Sequence, residues 1–190
     1  GTLEKVISLK PEHISAYSLI LEEGTPFFDR YSEEDQDEDL DRKIYGKTRE
    51  VLEAAGYYRY EISNYARPGF ACRHNSSYWT RTDYLGLGLG ASSLLNNERF
   101  HNEENMQGYI ENSEDRDKIR KDIEYLDKNK LMEEFMFLGL RMTDGVLKNK
   151  FKDLFGEDIE NIYGDVLKKS YDEGLLMEEH NHIFLTEKGL

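Results

Sequence analysis

The residues best suited to chemistry lie close together: His-Asn-Ser-Ser-Tyr-Trp at 74–79, then Tyr-Leu-Gly-Leu-Gly-Leu-Gly-Ala-Ser-Ser at 84–93. The imidazole of His74 binds metals through a neutral ring nitrogen. Tyr78 and Trp79, the latter the single tryptophan of this chain, offer flat apolar faces with one polar tip each. Glycines at 86, 88 and 90 let backbone approach a broad ligand or a neighbouring strand with no Cβ in the way. The combination predicts a surface for a planar group, aromatic or metal-bearing, with His74, Asn75, Tyr78 and Trp79 as its candidate contacts. One histidine falls short of a zinc site, but it suffices as the axial ligand of a haem iron.

Other residues of chemical interest have competing readings. Gly86, Gly88 and Ala91 satisfy the form G-x-G-x-x-A, but a dinucleotide site needs a helix directly afterwards and an acidic residue about 20 positions on. Ser92-Ser-Leu-Leu-Asn-Asn does not open a helix, so the glycines read as facing a ligand or neighbouring backbone. Glu61, Ser63 and Asn64 end a strand in polar groups. Strand ends in α/β proteins face active sites, and ordinary turn capping explains the three equally well. His180 and His182 alternate in a turn and read as solvated rather than metal-bound. His101 shows no partner in the sequence, and Met132 and Met136 fall on the core stripe of a helix.

Composition narrows the class. Against 25 Lys and Arg stand 39 Asp and Glu, a net charge of −14 with no basic run. Binding to phosphate backbones or anionic membranes needs the opposite balance. The acidic stretch 32–41 reads as a solvated loop leading into a helix, since it lacks the glycine and spacing of a calcium loop. Cys72 stands alone, so no internal disulfide and no zinc or iron–sulfur site is available from cysteines of this chain. No apolar run approaches the roughly 20 residues of a membrane span, no signal peptide opens the chain, and a cytoplasmic location is expected.

The positioning elements follow from periodicity. Leu3, Val6, Ile7 and Leu9 read as the end of a helix stopped before Pro11. Residues 13–21 are a short apolar run bounded by turn signals, expected as a buried strand. A helix from about 37 to 55, with Leu40, Ile44, Val51 and Ala55 as its stripe, precedes a strand at 57–62. Strand, helix and strand together suggest an α/β fold with a βαβ unit. Residues 63–72 read as loop, 84–95 as strand pieces broken by glycine, 99–102 as a short strand, and 103–130 as helix plus connection. Three helices follow, at 132–140, 147–155 and 159–170, then a hairpin at 175–186. The change of pattern places a first domain at 1–115 and a second, small and winged-helix-like, at 116–190.

Several segments, in order, carry a family resemblance: HISAYSLILEEGTPF (13–27), AGYYRYEISNYARPG (55–69), RHNSSYW (73–79), YLGLGLGASS (84–93), FLGLR (137–141) and the close GLL…LTEKGL (174–190). The chain resembles, over essentially its whole length, the C-terminal half of HemW-type proteins. These are radical S-adenosylmethionine (SAM) proteins related to oxygen-independent coproporphyrinogen III oxidase. The resemblance implies the last part of a partial TIM-like barrel followed by a winged-helix-like domain, with 13–21 as the last parallel strand. The family's HNxxYW motif falls on His74, Asn75, Tyr78 and Trp79 and implies haem binding by a chaperone that delivers haem to acceptor proteins.

The family's CxxxCxxC motif, which holds a [4Fe–4S] cluster and SAM, has no match here. The resemblance therefore implies a piece of a longer protein, with cluster and SAM belonging to the full-length molecule only and no radical chemistry from this chain alone. Tyr17 and Ile20 would be the SAM-facing candidates. The rival enzymatic reading is the substrate-side half of a coproporphyrinogen III oxidase, which decarboxylates propionates. A nucleic-acid-binding winged helix is disfavoured, because Lys168 and Lys169 are offset by Asp165, Asp172 and Glu173. A strand at 13–21 without upstream neighbours would present an open edge, so self-association is expected.

Overall fold

The computed structural model describes residues 1–31 and 37–190. The expected acidic loop falls mainly on 32–36, outside the described residues. Its far end is described: the Asp37 carboxylate accepts from the amide of Leu40 at 2.9 Å and caps a helix, as an N-cap aspartate does. The chain forms two compact units, Gly1–Cys72 and Arg73–Leu190.

The first unit contains α1 (Thr2–Ser8), β1 (His13–Ser15), α2 (Glu38–Ala54), β2 (Tyr58–Glu61) and β3 (Asn64–Ala66). Its sheet has the order β1-β3-β2, with both outer strands antiparallel to β3. β1 and β2 therefore run in the same direction, as a strand–helix–strand unit requires, but β3 lies between them. Ile14, Leu52, Tyr57 and Tyr65 form the core, covered by Leu3, Val6 and Ile7 of α1. The Tyr57 hydroxyl donates to the carbonyl of Pro11 at 2.7 Å. The Tyr65 hydroxyl has no hydrogen-bond partner among the described residues, and burial pushes it up to about 12.

Two expectations change here. The strand foreseen at 13–21 spans only His13–Ser15, and its one partner is antiparallel, not parallel. β3 offers three residues, its register ends where Ser15 meets Asn64, and no described strand continues the ladder. Beyond it Tyr17, Leu19 and Ile20 are exposed instead of buried. In α2, Leu40 and Ile44 of the expected stripe are also exposed, and the buried residue is Leu52. Burial is confined to the end of the helix that meets the sheet.

The second unit begins with α3 (Arg73–Trp79). A sheet of β4 (Ser92–Leu95), β5 (Glu98–Asn102) and β6 (Arg120–Tyr125) follows, with α4 (Met106–Glu111) and α5 (Arg116–Ile119) between its last two strands. Then come α6 (Lys128–Gly139), β7 (Val146–Leu147), α7 (Lys148–Phe155), α8 (Ile159–Asp172), β8 (Leu176–Glu179) and β9 (His182–Leu185). The last three strands form an antiparallel sheet ordered β7-β9-β8. Met132, Met136, Val146, Phe151, Ile159, Leu167, Leu176 and Ile183 make its core. Phe135, Phe155 and Tyr163 meet Phe151 edge-on, the arrangement aromatic quadrupoles favour. Gly156 ends α7 in the left-handed conformation at φ 73°, where a Cβ would be strained. The three helices and the hairpin match the sequence reading, while β6 and β7 were not foreseen. Among the described residues no helix is long and apolar enough to cross a membrane.

Candidate functional site

Residues 73–79, to which periodicity assigns no element, form α3, and the helix decides which of them meet. His74 and Tyr78 are one turn apart on the same face. The Tyr78 hydroxyl lies 2.9 Å from His74 Nε2, with ring centroids 4.9 Å apart and planes at 76°. Tyr78 in turn meets Tyr84 edge-on at 4.7 Å and 89°. Ser77 Oγ donates to the carbonyl of His74 at 2.6 Å. The guanidinium carbon of Arg141 sits 4.1 Å from the centre of a Trp79 ring, a cation–π contact. Trp79 Nε1 is buried and has no hydrogen-bond partner among the described residues.

Tyr78, Trp79 and Tyr84 help to wall a cavity of about 570 Å³, a size typical of small-molecule sites. Asn75, Tyr78 and Trp79 line it from α3, Tyr84 and Leu94 from the adjoining sheet region, and Leu138 from α6. Three of the four residues singled out in the sequence thus share a wall. His74 is not on that wall: it is solvent-exposed and joins the group through Tyr78.

Among the described residues, Arg99 is the one charged member of the lining. Behind it lies a group that sequence reasoning missed. Glu134 of α6 is 5% exposed. One of its oxygens accepts a hydrogen bond from Arg81 Nε at 2.6 Å, and the other forms an ion pair with Arg99 Nη2 at 2.7 Å. Arg81 follows α3 with φ 54°, a left-handed conformation unusual for a residue with a Cβ. The fork ties the end of α3 to α6 and β5. No local pattern marks it, because the partners come from three separate segments.

The glycine-rich segment serves backbone packing. A Cβ on Gly86 would sit 2.2 Å from the carbonyl oxygen of Ser92. The amide of buried Asn102 donates to the carbonyls of Gly86 and Gly88 at 3.2 and 2.8 Å, and the Gly86 amide donates to Ser93 Oγ at 3.0 Å. The strand β4 follows, not a helix, in keeping with the rejection of a dinucleotide site. Of the two roles foreseen for these glycines, Gly86 displays both, close approach to neighbouring backbone and a place in the cavity lining, whereas a Cβ on Gly88 would meet nothing.

The remaining candidates fall elsewhere. Glu61 is buried, and its Oε1 accepts from the Ser63 amide at 2.8 Å and from Asn64 Nδ2 at 2.5 Å, which is turn capping. His101 acquires a partner the sequence did not reveal: Nε2 lies 2.8 Å from Asp122, and Nδ1 lies 2.8 Å from the Asn102 carbonyl. Bonding to the Asp122 carboxylate, then to that carbonyl, raises the His101 pKa above its ordinary value. His180 occupies the β8–β9 turn at φ 48°, and His182 Nδ1 lies 2.9 Å from the carbonyl of Asp144. Tyr17 and Ile20 are exposed. Among the described residues no group of three or more His, Cys, Asp or Glu is placed to hold a metal ion. With Cys72 as its one cysteine, the chain does not itself supply the ligands of a [4Fe–4S] cluster.

Residues 126–190 match the HemN C-terminal domain family. The protein "Heme chaperone HemW" of Lactococcus lactis is 35% identical over 190 residues, covering 98% of this chain and 50% of the relative. That of Escherichia coli is 35% identical over 199 residues, covering all of this chain and 50% of the relative. The chain therefore spans about half the length of the curated relatives it matches. The solved structure of coproporphyrinogen III oxidase (HemN) from Escherichia coli, described as a radical SAM enzyme, superimposes with a TM-score of 0.75 at 17% identity. The match covers 99% of this chain and 47% of that one. At that identity it speaks for the fold alone.

Proposed function

This chain belongs to the HemW-type family of radical SAM proteins, as the counterpart of their C-terminal half, and we propose that it is the part that holds haem for delivery. The observation that carries the reading is the placement of Asn75, Tyr78 and Trp79 on one wall of a cavity, with His74 one helical turn away and in contact with Tyr78. Haem is cargo here. His74 supplies an axial nitrogen, and its exposure gives iron access without rearranging a core. Tyr78 bonds Nε2 and so sets the orientation of the imidazole, as partners of ligating histidines do. Tyr78, Trp79, Tyr84 and Leu138 provide apolar surface for the macrocycle.

Other parts of the proposal rest on the family and on element order. The succession helix, short strand, two helices, hairpin in 128–185 supports a winged-helix-like domain, and the HemN C-terminal match at 126–190 supports a division near 115. In the whole protein residues 1–115 would complete a partial barrel, and the [4Fe–4S] cluster and SAM would be bound by segments outside this chain. Tyr17 and Ile20 would face SAM there. The partners are haem and haem-accepting proteins in the cytoplasm, not nucleic acid, for a chain of net charge −14.

The test is titration of ferric haem into the full-length protein and its His74→Ala variant, followed in the Soret band. The parent shifts the band and saturates at one haem per chain, and the variant loses most of the shift. Equal spectra for parent and variant would remove His74 as a ligand.

A further inference from the structure

We infer that Arg99 is a carboxylate-binding residue of the cavity, so that the site takes a planar apolar ligand carrying an acidic arm, the propionate of a porphyrin. The inference rests on the haem reading above and adds to it a contact outside the HNxxYW motif.

Three observations support it. Among the described residues, Arg99 is the one charged residue on a cavity wall otherwise built from aromatic, aliphatic and neutral polar groups. Its side chain is 40% exposed, whereas Arg81, on the other side of the same carboxylate, is 14% exposed. Arg81 is thus covered and spent on Glu134, while Arg99 faces the open volume. The charge balance of the fork is uneven as well. Glu134 is a single carboxylate shared by two guanidiniums, which leaves an excess positive charge at the cavity wall of a strongly acidic chain. Glu124, opposite Arg99 across β5 and β6, also feels the Arg99 charge, but it accepts its hydrogen bond from Lys130 at 2.5 Å, which brings a further cation of its own.

A guanidinium has five N–H donors in a planar fork, and Glu134 takes the Arg99 group from behind through one terminal nitrogen. A ligand carboxylate is the acceptor whose geometry and charge match donors on the cavity side. Glu134, hydrogen-bonded to Arg81 and ion-paired with Arg99, holds the Arg99 guanidinium at the wall before any ligand arrives and acts as a positioning residue.

The test compares ferric haem with its dimethyl ester, which keeps the macrocycle and iron but lacks both acidic arms. In the full-length protein the parent binds the free acid about tenfold more tightly than the ester, the size of one charge-assisted bond. Arg99→Gln brings the two affinities together, and Arg99→Lys, which keeps the charge but not the fork, recovers part of the preference. Equal affinity of the parent for acid and ester would overturn the inference without any variant. So would an Arg99→Gln protein that keeps the full preference. If the parent binds haem and discriminates neither ligand, the inference fails and the haem reading stands; if it binds no haem, both fail.

Discussion

At the residue scale, the helical spacing of His74 and Tyr78 was visible in the sequence, although the helix itself was not. Asn, Ser, Tyr and Trp are indifferent helix formers, and a segment of seven residues is too short for a stripe to stand out. The Glu134 fork was invisible for a different reason: its three members are joined only by the fold, and a buried glutamate on an amphipathic helix looks like a surface one until its partners arrive. Removing Glu134 leaves the covered guanidinium of Arg81 and the partly exposed one of Arg99 without their shared counter-charge. Glu134→Ala is expected to lower stability by about 3 kcal/mol in urea denaturation. A loss under about 1 kcal/mol would mean that the fork contributes little to holding α3 in place.

At the element scale, the strongly periodic segments were legible and the short or polar ones were not. α6, α7 and α8 repeat apolar residues on one face, and Gly156 and Gly174 mark the stops after α7 and α8, so the pattern alone located them. β7 has two residues, below the length at which alternation exists. β6 reads Arg-Lys-Asp-Ile-Glu-Tyr, polar and interrupted by Asp122 at φ 48°, which breaks the alternation that marks a strand. The run at 13–21 erred the other way: its composition suits a buried strand, but only three residues find a partner.

The bulge of β6 is held by the His101–Asp122 contact, and this gives the sheet a pH dependence. His101 is raised in the folded state relative to an unfolded value of about 6.5. Its contribution is therefore complete below about pH 6.5 and is lost as pH rises through the higher folded value. Amide exchange in β5 and β6 should speed up, after correction for intrinsic rates, on going from pH 6 to pH 8. In His101→Gln the corrected rates should be level across that range. A parent whose β6 protection does not change with pH would show that the contact adds nothing.

At the scale of the whole molecule, charge and exposed apolar surface pull in opposite directions. A net charge of −14 favours dispersion, but Tyr17, Leu19, Ile20, Phe27, Phe28 and Tyr31 are all exposed within fifteen residues of one another. Apolar surface on this scale marks an interaction face. We propose that in this chain taken alone it drives self-association. Sedimentation at tens of micromolar should show dimers or larger species, and the combined variant Tyr17→Ser, Leu19→Ser, Ile20→Ser should shift the population towards monomer. A parent that sediments as a monomer contradicts the proposal.

The central claim is that haem sits against α3 in the cavity of the second unit, and Trp79, as the one tryptophan of this chain, reports on that place directly. Haem titrated into the chain should quench nearly all tryptophan emission, saturating at one equivalent in step with the Soret change. A complete Soret change that leaves Trp79 emission intact would put the haem somewhere else.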